Sequence, residues 1–170
     1  MSKTQATVAI LMGSDSDWPT FEAAVQVLAE FEVSYDVRVL SAHRTPEQVR
    51  KYVSTASRRG TKVFIAGAGG AAHLAGVIAA HTTRPVIGVP IETKTLKGLD
   101  SLLSTVQMPK GVPVATVAIG GAANAALLAL QILGVGDATM SQRLAAHRTQ
   151  MTAQVLKADR ALQGRLSKSE

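Results

Sequence analysis

His43 and Arg44 stand side by side in the stretch SAHRTP, residues 41–46, where an apolar run gives way to a helix-compatible segment. Histidine can both give and take a proton near neutral pH, and arginine carries a planar fork of donors matched to phosphate or carboxylate. The pair reads as a proton-transfer group beside an anion clamp. Taken alone, the pair is better read as a loop imidazole bonded to a backbone carbonyl and a guanidinium paired with a surface acid. Thr45, Pro46 and Gln48 have the spacing of a capping box, which would hold His43 and Arg44 just ahead of a helix N-terminus.

Two other loops carry groups of this kind. In GSDSDWPT, residues 13–20, Ser14 and Ser16 offer hydroxyls. Asp17 either caps the helix that Pro19 opens or accepts hydrogen bonds from a ribose diol, while the serines and backbone N–H groups meet a phosphate. In AGAGGAAHLAG, residues 66–76, Gly69 and Gly70 let the backbone come close to a ligand, and His73 is expected in the first turn of the next helix, facing the same crevice.

Other chemistries find no support. The chain has no cysteine, so thiolate catalysis, disulfides and Cys-ligated zinc drop out. His81 and His147 lack partners at metal-ligand spacing, and there is neither a phosphate loop ending in Lys-Ser/Thr nor a serine nucleophile elbow, so no metal and no cofactor is expected. Gly67, Gly69 and Ala72, with Glu92 further on, fit a dinucleotide fingerprint, but on the third strand rather than the first. A net charge of +6 invites a nucleic-acid reading; the basic residues are dispersed and aromatics make up 4% of the chain, so anionic small molecules suit it as well and no nucleic-acid partner is expected. The apolar stretch at residues 63–80 is interrupted by glycines and His73, unlike a membrane span, and the N-terminus has no signal-peptide pattern. A cytoplasmic protein with no membrane partner is expected.

The elements that must position these loops follow from periodicity. Strand-like runs recur at residues 7–12, 35–40, 62–66, 85–90 and 113–119, and helix-compatible segments at 19–31, 46–59, 71–81, 100–108 and 122–133. Alternation of this sort predicts an α/β fold, doubly wound, a flavodoxin-like three-layer sandwich with a five-stranded parallel sheet. Ligands in such sheets bind beyond the carboxyl ends of the strands, where loops 13–17, 41–44 and 67–73 would converge. At 170 residues one catalytic domain is expected over residues 1–136. Residues 137–170 read as an extra amphipathic helix with Met140, Leu144, Met151, Val155, Leu162 and Leu166 on one stripe, which either packs back on its own domain or, as is expected here, packs on a neighbouring subunit.

The motifs GSDSDWP, SAHRTP, AGAGGAAHLAG, GVPI, GLDSLLSTVQMP and NAALLA follow one another between residues 8 and 133. In that order they resemble the class I N5-carboxyaminoimidazole ribonucleotide mutases of purine biosynthesis. The resemblance implies an isomerase that moves a carboxylate from the exocyclic nitrogen of an aminoimidazole ribonucleotide to ring carbon C4, without metal, ATP or biotin. It implies His43 as general acid and base, and Arg44 on the phosphate with Ser16 and Ser41. Ser14 and Asp17 would also bind the nucleotide, Asp17 at the ribose, and the loop with Gly69, Gly70 and His73 would wall in the freed carbon dioxide. It further implies a homo-octamer, in which the final helix would be buried.

Three features depart from the family pattern: the loop after Ile119 is shorter, Ala75 replaces a usual proline, and Ala115 a usual glycine. The nearest alternative is the sister branch that carboxylates the aminoimidazole ribonucleotide with free carbon dioxide. Arg44 and the run from Gly69 to His73 favour the mutase.

Overall fold

The computed structural model describes residues 5–167. Five parallel strands, β1 (Val8–Met12), β2 (Tyr35–Val39), β3 (Val63–Ala68), β4 (Val86–Pro90) and β5 (Ala115–Thr116), lie in the order β2-β1-β3-β4-β5. The helices are α1 (Trp18–Glu30), α2 (Pro46–Arg58), α3 (Leu74–Ala80), α4 (Leu99–Val106), α5 (Ala122–Gly134) and α6 (Ala138–Leu166). This is the doubly wound order expected from the sequence, with its switch point between β1 and β3.

Helices cover the sheet on both faces, so the central strands are apolar at every position rather than at alternate ones. All five residues of β1 and of β4 are buried, as are the first five of β3, whereas edge strand β2 keeps Tyr35 and Val39 exposed. On one face Ala9, Leu11, Phe64 and Ala66 meet Val49 and Val53 of α2 and Leu74, Ala75 and Ile78 of α3. On the other, Phe21 of α1 lies over Gly67. Each large aliphatic or aromatic side chain sealed in this way contributes about 1.5–3 kcal/mol. The carboxyl ends of β1 and β3 therefore form a rigid platform for the loops.

Several boundaries differ from the sequence expectation. The run at 113–119 keeps only two residues as strand, because β5 has β4 as its single neighbour and Pro113 has no N–H to enter a ladder. β3 runs on through Gly67 and Ala68, so the third loop starts later than expected. A side chain at Gly67 would collide with the Phe21 ring, which makes this glycine a packing requirement of α1. Gly67 thus lies inside the strand, where the first glycine of a dinucleotide fingerprint would stand in the turn. Helix α3 begins at Leu74, and His73 occupies the position before its first turn.

Two compact units divide inside α5, one ending at Ala129 and the other beginning at Leu130. In the second unit, Asp137 caps α6 by accepting from the Met140 N–H at 3.1 Å, and the Ser141 hydroxyl donates to the Gly134 carbonyl at 2.7 Å. From Arg148 to Leu166 every residue of α6 is exposed, including Met151, Val155, Leu162 and Leu166. Among the described residues no helix is long and apolar enough to cross a membrane.

Candidate active site

Loops from β1, β2 and β3 enclose a cavity of about 420 Å³ at the switch point. Its lining includes Gly13, Ser14, Ser16, Asp17, Ser41, His43, Arg44, Gly69 and His73. Such a volume suits a small ligand held by a few convergent polar groups.

The first loop folds on itself. A single 3-10 turn, Asp15–Asp17, is capped by Ser14, whose oxygen accepts from the Ser16 N–H at 3.3 Å and from the Ser16 hydroxyl at 2.9 Å. Asp17 follows at the start of α1 without capping it, so its carboxylate remains available to the cavity. Asp17 is buried, and that burial pushes its carboxyl above the ordinary aspartate value. Hydrogen bonds from Ser14 and Ser16 and the charge of Arg44 pull the other way, and Asp15 adds to the rise.

The second loop is held by a clasp the sequence did not suggest. Thr45 makes no capping bond to α2. Its hydroxyl oxygen accepts from the Ser41 N–H at 2.9 Å and gives its proton to the Ser41 carbonyl at 3.0 Å, closing residues 41–45 into a ring. The expected capping box is thus replaced by a side chain turned backward, a local competition open to any threonine at a helix start. Within the ring, the Ser41 hydroxyl accepts from the Arg44 backbone N–H at 3.2 Å and from its Nε–H at 3.4 Å. The Arg44 Nη2 group reaches across to donate to the Gly13 carbonyl at 2.7 Å. One guanidinium so joins loops one and two, with further donors of its fork directed to neither.

The third loop brings His73 to His43. Nε2 of His43 and Nδ1 of His73 are 2.8 Å apart, with the rings nearly perpendicular at 78°. The sequence placed both histidines at one crevice but gave no hint that they touch. Gly70, with φ of +68°, turns the chain here and stands outside the cavity lining; its N–H is taken by the Ser101 hydroxyl of α4 at 2.9 Å. The N–H groups of Ala72 and His73 are likewise used within the protein, by Ser104 and Ala71. The expected row of loop amides aimed at a ligand is therefore largely spent on holding the loop.

Of the nine residues singled out from the sequence, eight line one cavity and Gly70 shapes it from behind. Ala68 and Ala71 line the wall as part of the loop 67–73 expected there, whereas Ala42 and Leu74 as wall residues, and the α4 serines as supports, were missed by sequence reasoning. Small apolar residues in a wall carry no signal of their own. Among the described residues no group of three or more His, Asp or Glu side chains is placed to hold a metal ion.

The site has recognisable relatives. A protein of Pyrococcus abyssi named N5-carboxyaminoimidazole ribonucleotide mutase is 60% identical over 144 residues, covering 85% of this chain and 83% of its own. One of the same name from Vibrio parahaemolyticus is 56% identical over 151 residues, covering 88% and 94%. Among solved structures, PurE of Treponema denticola superposes with a TM-score of 0.82 at 28% identity, over 89% of this chain and 95% of that one. The sequence profile of the AIR carboxylase family matches residues 7–154. With cavity, loops and fold in agreement over most of its length, the chain belongs to the AIR carboxylase family.

Proposed function

We propose that this protein is an N5-carboxyaminoimidazole ribonucleotide mutase, an isomerase of purine biosynthesis. The observation that carries the reading is the contact of His43 with His73 in a cavity that also holds Arg44 and Asp17. A proton carrier, an anion clamp and a carboxylate acceptor are the three tools that the rearrangement of a ribonucleotide carbamate requires. The names of relatives 54–60% identical support it.

Arg44, with Ser14, Ser16 and Ser41, holds the phosphate, and Asp17 accepts from the ribose hydroxyls. His43 delivers a proton to the exocyclic nitrogen as the carbamate C–N bond breaks and its electron pair returns to nitrogen. The freed carbon dioxide is kept between Gly69, Ala71 and Leu74 while carbon C4 attacks it and forms the new C–C bond. His43 then takes the C4 proton and is restored. One proton leaves the imidazole and one returns, so no cofactor is consumed. His73, bonded to His43, fixes the tautomer and aim of its ring.

The protein acts in the cytoplasm as a homo-octamer, in which a neighbouring copy covers the stripe of α6. Exposed Met151, Val155, Leu162 and Leu166 on one helix support this.

The deciding assay offers purified protein either the N-carboxylated ribonucleotide or the uncarboxylated one with carbon dioxide. Rapid turnover of the first is expected; turnover of the second alone would make the protein a carboxylase instead.

A further inference from the structure

The motif GLDSLLSTVQMP, which contains the whole of α4, has no part in the chemistry above. Its residues Ser101, Ser104 and Thr105 are spaced so that they share one helix face. That face is turned toward the glycine loop. The buried Ser101 hydroxyl accepts from the Gly70 N–H at 2.9 Å and donates to the Ile91 carbonyl at 2.7 Å. Ser104 sits between two residues of the loop: its oxygen accepts from the Ala72 N–H at 3.1 Å, and the Gly70 carbonyl lies 2.9 Å away as an acceptor. Ala72 immediately precedes His73, whose Nδ1 touches His43.

We infer that Ser104, with Ser101 behind it, is a positioning residue for the carboxylate transfer, fixing the loop that carries His73 and walls in carbon dioxide. The inference rests on the mutase reading. A hydroxyl has one proton, and Ser104 has a second acceptor in the Asp100 carbonyl at 2.7 Å, one turn back on its own helix. With the proton on Gly70 the loop is bound through both a carbonyl and an amide. With it on Asp100, Ser104 keeps only the Ala72 amide, while the Gly70 N–H stays on Ser101. Ser104 thus adds or gives up the hold on the Gly70 carbonyl that stiffens the loop, and a looser wall lets carbon dioxide escape before C4 captures it.

Escape leaves a signature that altered folding does not produce: uncarboxylated aminoimidazole ribonucleotide accumulates relative to the C4-carboxylated product. The test measures that ratio, corrected for carbamate loss without enzyme, in wild type, Ser104→Ala and Ser104→Thr. Alanine is expected to raise the ratio and lower kcat by roughly 10- to 100-fold with KM within about twofold, because phosphate and ribose contacts lie on the other two loops. Threonine, which keeps the hydroxyl, is expected to restore both. Should alanine prevent folding, Ser104→Cys fills the same space with a weaker hydrogen-bonding atom and is judged by the same ratio. An active wild type with an unchanged ratio in the folded variants overturns this inference alone. A wild type that does not convert the N-carboxylated substrate overturns the mutase reading and this inference with it.

Discussion

His43 and His73 meet nitrogen to nitrogen at 2.8 Å, edge to face, across two loops thirty positions apart. A neutral imidazole has one donor and one acceptor nitrogen, so one ring must donate here and the other accept. The tautomer that satisfies this contact fixes which nitrogen of His43 carries its proton.

Replacing His43 with asparagine removes proton transfer and leaves the anion clamp. Turnover is expected to fall about 100- to 10,000-fold, with nucleotide affinity nearly unchanged. His73→Asn, which only loosens the aim of its partner, is expected to lower kcat less and to leave KM alone. Steady-state kinetics on both variants separate the two roles; near-normal rates in His43→Asn would remove it from the mechanism.

Arg44 bridges Gly13 and Ser41 and is assigned the phosphate. A lysine cannot reproduce the planar fork, so Arg44→Lys is expected to raise KM by roughly 10-fold, and Arg44→Leu by about 100-fold, in line with the 1.5–3 kcal/mol of a charged hydrogen bond. A dephosphorylated ribonucleoside offered to wild type and Arg44→Leu should bind both equally weakly.

Asp17 has a pH dependence of stated sign. Burial raises its carboxyl above the ordinary value, so the folded chain binds this proton at higher pH than the unfolded chain does. The ionised form therefore opposes folding at neutral pH, and that opposition disappears as pH falls through the raised value toward the ordinary one. Asp17→Asn is expected to melt no lower than wild type at pH 7, with any advantage vanishing in acid, while its KM rises. Wild-type KM should rise on the acid side starting above the usual aspartate range. Thermal melts and KM measured between pH 4 and pH 8 check both; a variant that melts lower at pH 7 yet binds normally would reverse the assignment.

Gly67 lies under the Phe21 ring. Gly67→Ala is expected to cost about 1–3 kcal/mol through overpacking, and Phe21→Leu in the same chain to recover part of it by vacating the space. Urea unfolding of the two single variants and the double variant measures the coupling; strictly additive effects would mean the ring is not what excludes the side chain.

Val155 stands in the exposed half of α6 at 69% exposure. Val155→Glu should cost the isolated fold little, yet a charge on the stripe is expected to lower the number of subunits per particle. Sedimentation velocity of wild type and variant reads this directly.

What was legible in the sequence depended on whether burial imposed a pattern. β1, β3 and β4 stand out because both of their faces are covered, leaving Val8 to Met12, and their counterparts, uniformly apolar. The run at 113–119 is equally apolar, but lacking a neighbour on one side it pairs with β4 only at Ala115 and Thr116. Ala71 to His73 have helix-compatible composition, yet Gly70 turns with positive φ and Ser104 claims the Ala72 amide, so α3 starts after them. Thr45 fits a capping motif in sequence and turns back to Ser41 in space. The site residues were legible because three short loops each held polar groups at a strand end. Their mutual contacts were not, since no local pattern records that loops from β2 and β3 bring two imidazoles into hydrogen-bond contact.

The strand order has a further consequence, for synthesis rather than catalysis. β1 lies one strand in from the edge, paired with β2 on one side and β3 on the other, and both partners lie later in the chain. As the polypeptide leaves the ribosome, its sequence VAILM emerges ahead of both partners and stays without a complete ladder until Val63 has followed. β1 is thus the strand that waits longest for its second neighbour, and its apolar edge stays unpaired until β3 has been made.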